Sequence, residues 1–177
     1  MALSSYNFAL FLIVSLLSIS STLISVRADL VDSVCSKTQK TTICLSALRA
    51  DTRSKGANLE TLATISIDIS LKNAESARDL VSTLLKQATD PKLKTRYDSC
   101  LENYNDAVDD LRGLPDFLKS KDYAGLNIHA SAVSDDPSTC DDNFSEPPVE
   151  EPQLKAASDK LQGLVSIILV ISNLLKG

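Results

Sequence analysis

Apolar residues recur along this chain at steps of three and four, the period of a helix, and no run of alternating apolar and polar positions marks a strand. Two short pieces, Asp29–Ser36 and Thr41–Ala50, flank Thr38-Gln39-Lys40 and read as a helical hairpin. Asp51–Ala57 is a polar loop, and Asn58 is placed to cap a helix that runs to Ala88. That helix carries two apolar stripes. Leu62, Ile65, Ile69, Leu80 and Leu84 form one; Ile67, Leu71, Ala74, Val81, Leu85 and Ala88 form the other. A helix with two stripes is covered on more than one side, as in a bundle.

Asp90-Pro91 is a cap followed by proline at the first helical position, a strong start signal. Leu93, Tyr97, Leu101, Tyr104, Val108, Leu111, Leu114 and Leu118 then keep the helical step. The period passes through Gly113 and Pro115, which predicts one long kinked helix rather than two. Lys119–Asp122 turns the chain. Tyr123, Leu126, Ala130 and Val133 mark the next helix, and the acidic, proline-containing stretch Ser134–Pro152 reads as a loop with Cys140 inside it. Leu154, Ala157, Leu161, Leu164, Ile168, Ile171 and Leu175 give a last helix, apolar nearly all round from Gly163 onward. The expected fold class is all-α: four main helices, residues 58–177, preceded by a hairpin, residues 29–57.

Composition adds an address. Phe8–Ile24 is uncharged and rich in Leu, Ile, Val, Ala and Ser, and Val26-Arg27-Ala28 suits a signal peptidase, so residues 1–28 read as a signal peptide cleaved after Ala28. The serines within the run argue against a membrane anchor. The remaining 149 residues suit one domain with a real core. Without Arg27 they hold 17 Lys and Arg against 23 Asp and Glu, a net charge of −6, which sets nucleic acid aside as a partner.

All four cysteines lie beyond the leader, so export predicts disulfides. Four cysteines allow three pairings. Cys35–Cys44 with Cys100–Cys140 is favoured, because a short helical hairpin can join the close pair. Zinc is disfavoured: C-x8-C has the wrong spacing, and the single histidine, His129, has no partners. Asn143-Phe144-Ser145 is a sequon, which makes Asn143 a candidate glycan acceptor.

No catalytic constellation stands out. There is no G-x-S-x-G and no phosphate-cradling glycine loop. With every cysteine bridged, no thiol nucleophile is left. His129 lies off the Tyr123–Val133 stripe and reads as a surface or boundary residue. Asp109-Asp110, Asp135-Asp136 and Asp141-Asp142 are adjacent pairs, which point about 100° apart on a helix and do not face each other across a cleft. One charge pattern carries weight. Asp98, Glu102, Asp106, Asp109 and Asp110 share a side of the long helix, with no Lys or Arg between Tyr97 and Leu111. That side is either a solvated face or a docking face.

These features together resemble the plant invertase and pectin methylesterase inhibitor family. The resemblance rests on Cys35-x8-Cys44, the block from Tyr97 to Asp109 (Tyr-Asp-Ser-Cys-Leu-Glu-Asn-Tyr-Asn-Asp-Ala-Val-Asp), Ser131-Ala132, Thr139-Cys140-Asp-Asp, and Val170–Leu175. Ala88–Lys94 and Asn173-Leu-Leu look more like the pectin methylesterase inhibitors. The resemblance implies an up-and-down four-helix bundle with the hairpin as an extension, the same disulfide pairing, no cofactor, and a secreted, cell-wall protein. It implies a non-catalytic inhibitor that covers the cleft of pectin methylesterase one to one and is a monomer when free. Carried over by position, Asp106, Asp109 and Thr139, with neighbouring Asn127 and Ser131, would contact the target. Three positions depart from the family pattern: Pro115 inside the long helix, Lys121 where relatives often have glycine, and Val165 where a fifth cysteine often stands. The alternatives are an acid invertase inhibitor and, from another class, a helical bundle that carries a small ligand. Carboxylates pressed against an acidic cleft would take up protons, so affinity is expected to rise as pH falls.

Overall fold

The computed structural model describes residues 29–177, so the expected leader lies outside the described residues. The chain forms α1 (Leu30–Cys35), α2 (Thr41–Ala50), a 3-10 turn (Thr52–Ser54), α3 (Leu59–Gln87), α4 (Pro91–Lys119), α5 (Tyr123–Asp142) and α6 (Pro152–Lys176). The long helices pack as a closed ring, α3 on α4, α4 on α5, α5 on α6 and α6 back on α3. With short connections between neighbours, this is the up-and-down four-helix bundle.

Three of the four long helices, α3, α4 and α5, start on a side-chain cap. Asn58 Oδ1 accepts from the Thr61 amide at 2.8 Å. Asp90 Oδ1 accepts from Lys92 at 2.7 Å and Leu93 at 3.1 Å, and Asp122 Oδ1 accepts from Gly125 at 2.8 Å. Each cap satisfies orphan first-turn donors and stabilises its helix by about 1 kcal/mol. α4 continues through Pro115 as one helix, as the unbroken apolar period predicts.

The turn from α4 to α5 is a Schellman motif. The Asp122 amide bonds Phe117 O at 2.9 Å and the Lys121 amide bonds Leu118 O at 3.1 Å. This geometry puts Lys121 at φ 59°, a conformation glycine adopts without cost. Gly125, one turn into α5, admits no Cβ: the atom would lie 2.6 Å from Phe117 Cδ1 and 2.5 Å from Asp122 Oδ2.

The stretch Ser134–Pro152 is not the loop expected from its composition. α5 runs on to Asp142, through Pro137, and the connection is only the short segment 143–151. Val133, Pro137 and Cys140 continue the buried face of α5 at steps of four and three. Burial of that face, and the bridge at Cys140, override the local cost of Pro137. The Cys100–Cys140 disulfide therefore joins helix to helix, with Cα atoms 4.7 Å apart. The connection is also held down. Arg96 Nη1 donates to the carbonyls of Glu146 (2.7 Å) and Pro148, its guanidinium lies 5.5 Å from the Phe144 ring centroid, and Phe144 packs on Tyr97 at 5.6 Å.

The hairpin is part of the core. Cys35–Cys44 ties α1 to α2, and Val31, Val34 and Leu48 bury against Leu62 and Ile65 of α3 and Leu164, Ile167 and Ile171 of α6. Gly163 lets α2 approach closely, since a Cβ there would lie 2.8 Å from Ile43 Cδ1. Lys40 Nζ adds two bonds to Asp159, 2.9 Å to Oδ1 and 3.0 Å to its carbonyl. Val165 is fully buried in the bundle core. Both cysteine pairs are those favoured from the sequence, and no cysteine is free.

Candidate functional site: an acidic face on helices α4 and α5

The expected acidic side of α4 is present, and its members divide between two seams. Asp106 and Asp109 are exposed. Asp109 leans toward α3: Arg112 donates to it at 3.3 Å and to Glu75 of α3 at 2.9 Å. Asp110 leans toward α5, with its Oδ1 3.7 Å from His129 Nδ1. His129 is stacked on Phe117, ring centroids 4.5 Å apart, so it is the boundary residue expected.

Helix α5 completes the face with a residue whose role the sequence did not reveal. Asp136 is half-buried, and its Oδ2 is enclosed without a hydrogen-bond partner. Burial, followed by the charges of Asp106, Asp110 and Asp135, pushes its carboxyl up to about 7. Four carboxyl groups from two helices thus share a patch that holds a proton well above the usual carboxylate range. Because Ser134–Asp142 reads locally as loop, the alignment of Asp136 with α4 was not visible.

The other expected residues fall in two groups. Ser131 and Thr139 are exposed on α5. Each hydroxyl donates to its own helix, Ser131 to Asn127 O at 3.0 Å and Thr139 to Asp135 O at 2.9 Å, so each offers a partner chiefly its oxygen lone pairs. Asn127 is half-buried and turns into the α5–α6 seam, where Nδ2 donates to Ser172 Oγ at 2.7 Å. It positions α5 rather than facing solvent. Asn143 is half-buried at the C-cap of α5, with Nδ2 3.4 Å from Ser99 Oγ.

A second polar cluster lies inside the bundle, near the Cys100–Cys140 bridge. Tyr104 is fully buried. Burial first, then the charges of Asp141 and Glu150, raise its phenol well above the usual value. Ser158 Oγ donates to Asp141 Oδ2 at 2.8 Å, and Lys155 Nζ reaches the same oxygen at 3.1 Å. Burial and the adjacent Asp141 carboxylate push Glu150 up to about 7. Through Asp141 this cluster ties the end of α5 to α6, while the Tyr104 hydroxyl is enclosed without a partner.

Among the described residues nothing assembles a nucleophile, base and oxyanion site. An open cleft of about 560 Å³ lies between the first half of α3 and the end of α4, lined by Arg53, Glu60, Asp68, Leu118, Lys119 and Lys121. Its Arg53 is committed to Asp51 and Asp68, each at 2.7 Å. Among the described residues no group of three or more His, Cys, Asp or Glu side chains is set to hold a metal ion. No described helix is long and apolar enough to cross a membrane.

The described residues thus form a twice-bridged helical bundle with an acidic face shared by α4 and α5. The chain belongs to the plant invertase/pectin methylesterase inhibitor family, whose model matches residues 29–171. It is 45% identical over 176 residues to the pectinesterase inhibitor of Actinidia deliciosa, covering 98% of this chain and 95% of that one. It is 33% identical to pectinesterase inhibitor 2 of Arabidopsis thaliana, covering 85% and 88%. Its fold matches the crystal structure of a mutant form of a pectin methylesterase inhibitor from Arabidopsis with a TM-score of 0.73 and 29% identity, over 81% of this chain and 95% of that one.

Proposed function

We propose that this protein is a secreted inhibitor of pectin methylesterase that docks one to one over the enzyme's substrate cleft and limits pectin de-esterification in the cell wall. The observation that carries this reading is the end-to-end similarity to the Actinidia pectinesterase inhibitor, with nearly all of each chain aligned. The bundle acts as a stiff body, so little backbone freedom is lost on docking. Asp106 and Asp109 on α4, with Ser131 and Thr139 on α5, are exposed and present polar groups to a partner. The free protein is a monomer, and its place is the apoplast, in keeping with two disulfides.

The description of the matched family names invertase as well, so acid invertase is the second target to assay. Purified protein is titrated against a plant pectin methylesterase and an acid invertase. Stoichiometric loss of esterase activity, with invertase unaffected, is the expected result. Inhibition of invertase alone overturns it. The ligand-carrying alternative fares poorly, since Leu111, Leu114, Leu126, Leu161 and Ile168 fill the interior and are fully buried.

A further inference from the structure

Three large hydrophobic residues are exposed among the described ones: Ile128 at 67%, Val149 at 74% and Leu174 at 37%. Val149 lies in the segment between α5 and α6, and Leu174 lies in the last turn of α6. Ile128 alone stands inside a long helix, in the second turn of α5. It shares the outer side of α5 with Ala124, Ser131, Ala132, Asp135 and Thr139, all exposed. Ala124 and Ala132 are one turn away on either side, Asp135 two turns, and Thr139 about 16 Å along the axis. The buried side, formed by Leu126, Ala130, Val133, Pro137 and Cys140, lies opposite. Ile128 belongs to neither core cluster.

Its surroundings are small on its own helix and acidic at the edge. Ala124, Ser131 and Ala132 leave the isoleucine standing proud; Asp110 of α4 lies against the neighbouring His129, and Asp106 and Asp135 gather with it around Asp136, so the edge of the patch is acidic. A raised aliphatic side chain in a low polar surround has the form of an interface anchor, which fills a pocket while the rim excludes water. We infer that Ile128 is the apolar anchor of the docking face, seated in a pocket of the pectin methylesterase whose edges carry basic or hydrogen-bond-donating groups. This rests on the inhibitor reading and assigns to it a residue that determines affinity. A second copy of this chain is the poorer occupant, because its own acidic rim would meet this one.

The test compares inhibition constants against one pectin methylesterase for the unsubstituted protein, Ile128→Ala, Ile128→Val and Val149→Ala. Alanine favours helix more than isoleucine does, so α5 is kept, and circular dichroism and Tm report it. Ile128→Ala is expected to weaken inhibition at least tenfold, about 1.4 kcal/mol. Ile128→Val should stay within about threefold, and Val149→Ala should change nothing. Unchanged inhibition by Ile128→Ala overturns this inference and leaves the inhibitor reading intact. Equal losses from Ile128→Ala and Val149→Ala overturn it too, as general stickiness. A concentration-dependent dimer that Ile128→Ala abolishes, with inhibition preserved, assigns the face to self-association instead. Absence of inhibition by the unsubstituted protein overturns the functional reading and this inference together.

Discussion

The half-buried carboxyl of Asp136 on α5 faces the exposed Asp106 of α4, and the two repel across the seam. A like charge beside a buried acid favours its protonated form, so the folded chain holds a proton there that the unfolded chain has released by pH 5. Glu150 behaves in the same way against Asp141. Both folded values, about 7, lie above the ordinary 3.8 and 4.5. Their contribution to stability is complete below about pH 4 and is lost as pH rises through 7. Asp159, lowered by the hydrogen bonds from Lys40 and Lys155, works in the other direction and loses its contribution below about pH 4. Tm should therefore be higher at pH 5 than at pH 7.5, and Asp136→Asn should reduce the difference. A Tm that rises towards neutrality refutes the assignment.

The same proton bears on binding. Docking against basic or hydrogen-bond-donating pocket edges favours the charged form of Asp136 and releases the proton it holds, so inhibition of the esterase should weaken from pH 7.5 to pH 5.5, the reverse of what an acidic cleft would give. Asp136→Asn should flatten that slope. Inhibition constants at both pH values provide the check.

Asp106 and Asn127 should separate cleanly on substitution. Asp106 is exposed and repels Asp136, so Asp106→Ala should keep or raise Tm near neutral pH while weakening inhibition by about tenfold. Thr139→Ala should weaken it less, because the hydroxyl proton is already donated to Asp135. Asn127→Ala removes the 2.7 Å bond to Ser172 and should cost about 1 kcal/mol of stability, with a smaller effect on inhibition. Denaturant titration and inhibition assays on the three variants test this ranking.

The two disulfides should differ in worth. Cys100–Cys140 closes a sequence separation of 40 residues and Cys35–Cys44 one of 9. On chain entropy, replacing the first pair by serines costs about 4 kcal/mol and the second about 2.5 kcal/mol. Equal losses in denaturant midpoint would contradict the ordering.

At the α4–α5 turn, opposite outcomes are expected four residues apart. Lys121→Gly relieves the positive φ and should stabilise by up to about 1 kcal/mol. Gly125→Ala drives a methyl into Phe117 and Asp122 and should destabilise by about 1–3 kcal/mol. Thermal unfolding of both variants decides.

Much of this architecture is local and can be read locally. Asn58, Asp90 and Asp122 mark their helix starts because capping involves only the next three residues. The continuation of α5 past Ser134 could not be read that way. Pro137 and its polar neighbours suggest a loop, and only packing against other helices and the bridge to Cys100 reverse that preference. The site divides along the same line. Asp106, Asp109, Ser131 and Thr139 are exposed as expected, whereas the inward turn of Asn127 depends on where α6 lies. Asp136 becomes unusual only once α4 brings Asp106 and Asp110 beside it. A single exposed isoleucine carries no signal until the helix beneath it has a known outer side.

The hairpin clothes the α3 and α6 flank, which in a ring of four is the side away from the α4–α5 seam. The molecule thus has a front and a back. A fluorophore, a bead or a fusion partner attached at the exposed Arg49 or Lys55 would sit behind it, leaving the front free to meet an enzyme embedded in a polymer matrix.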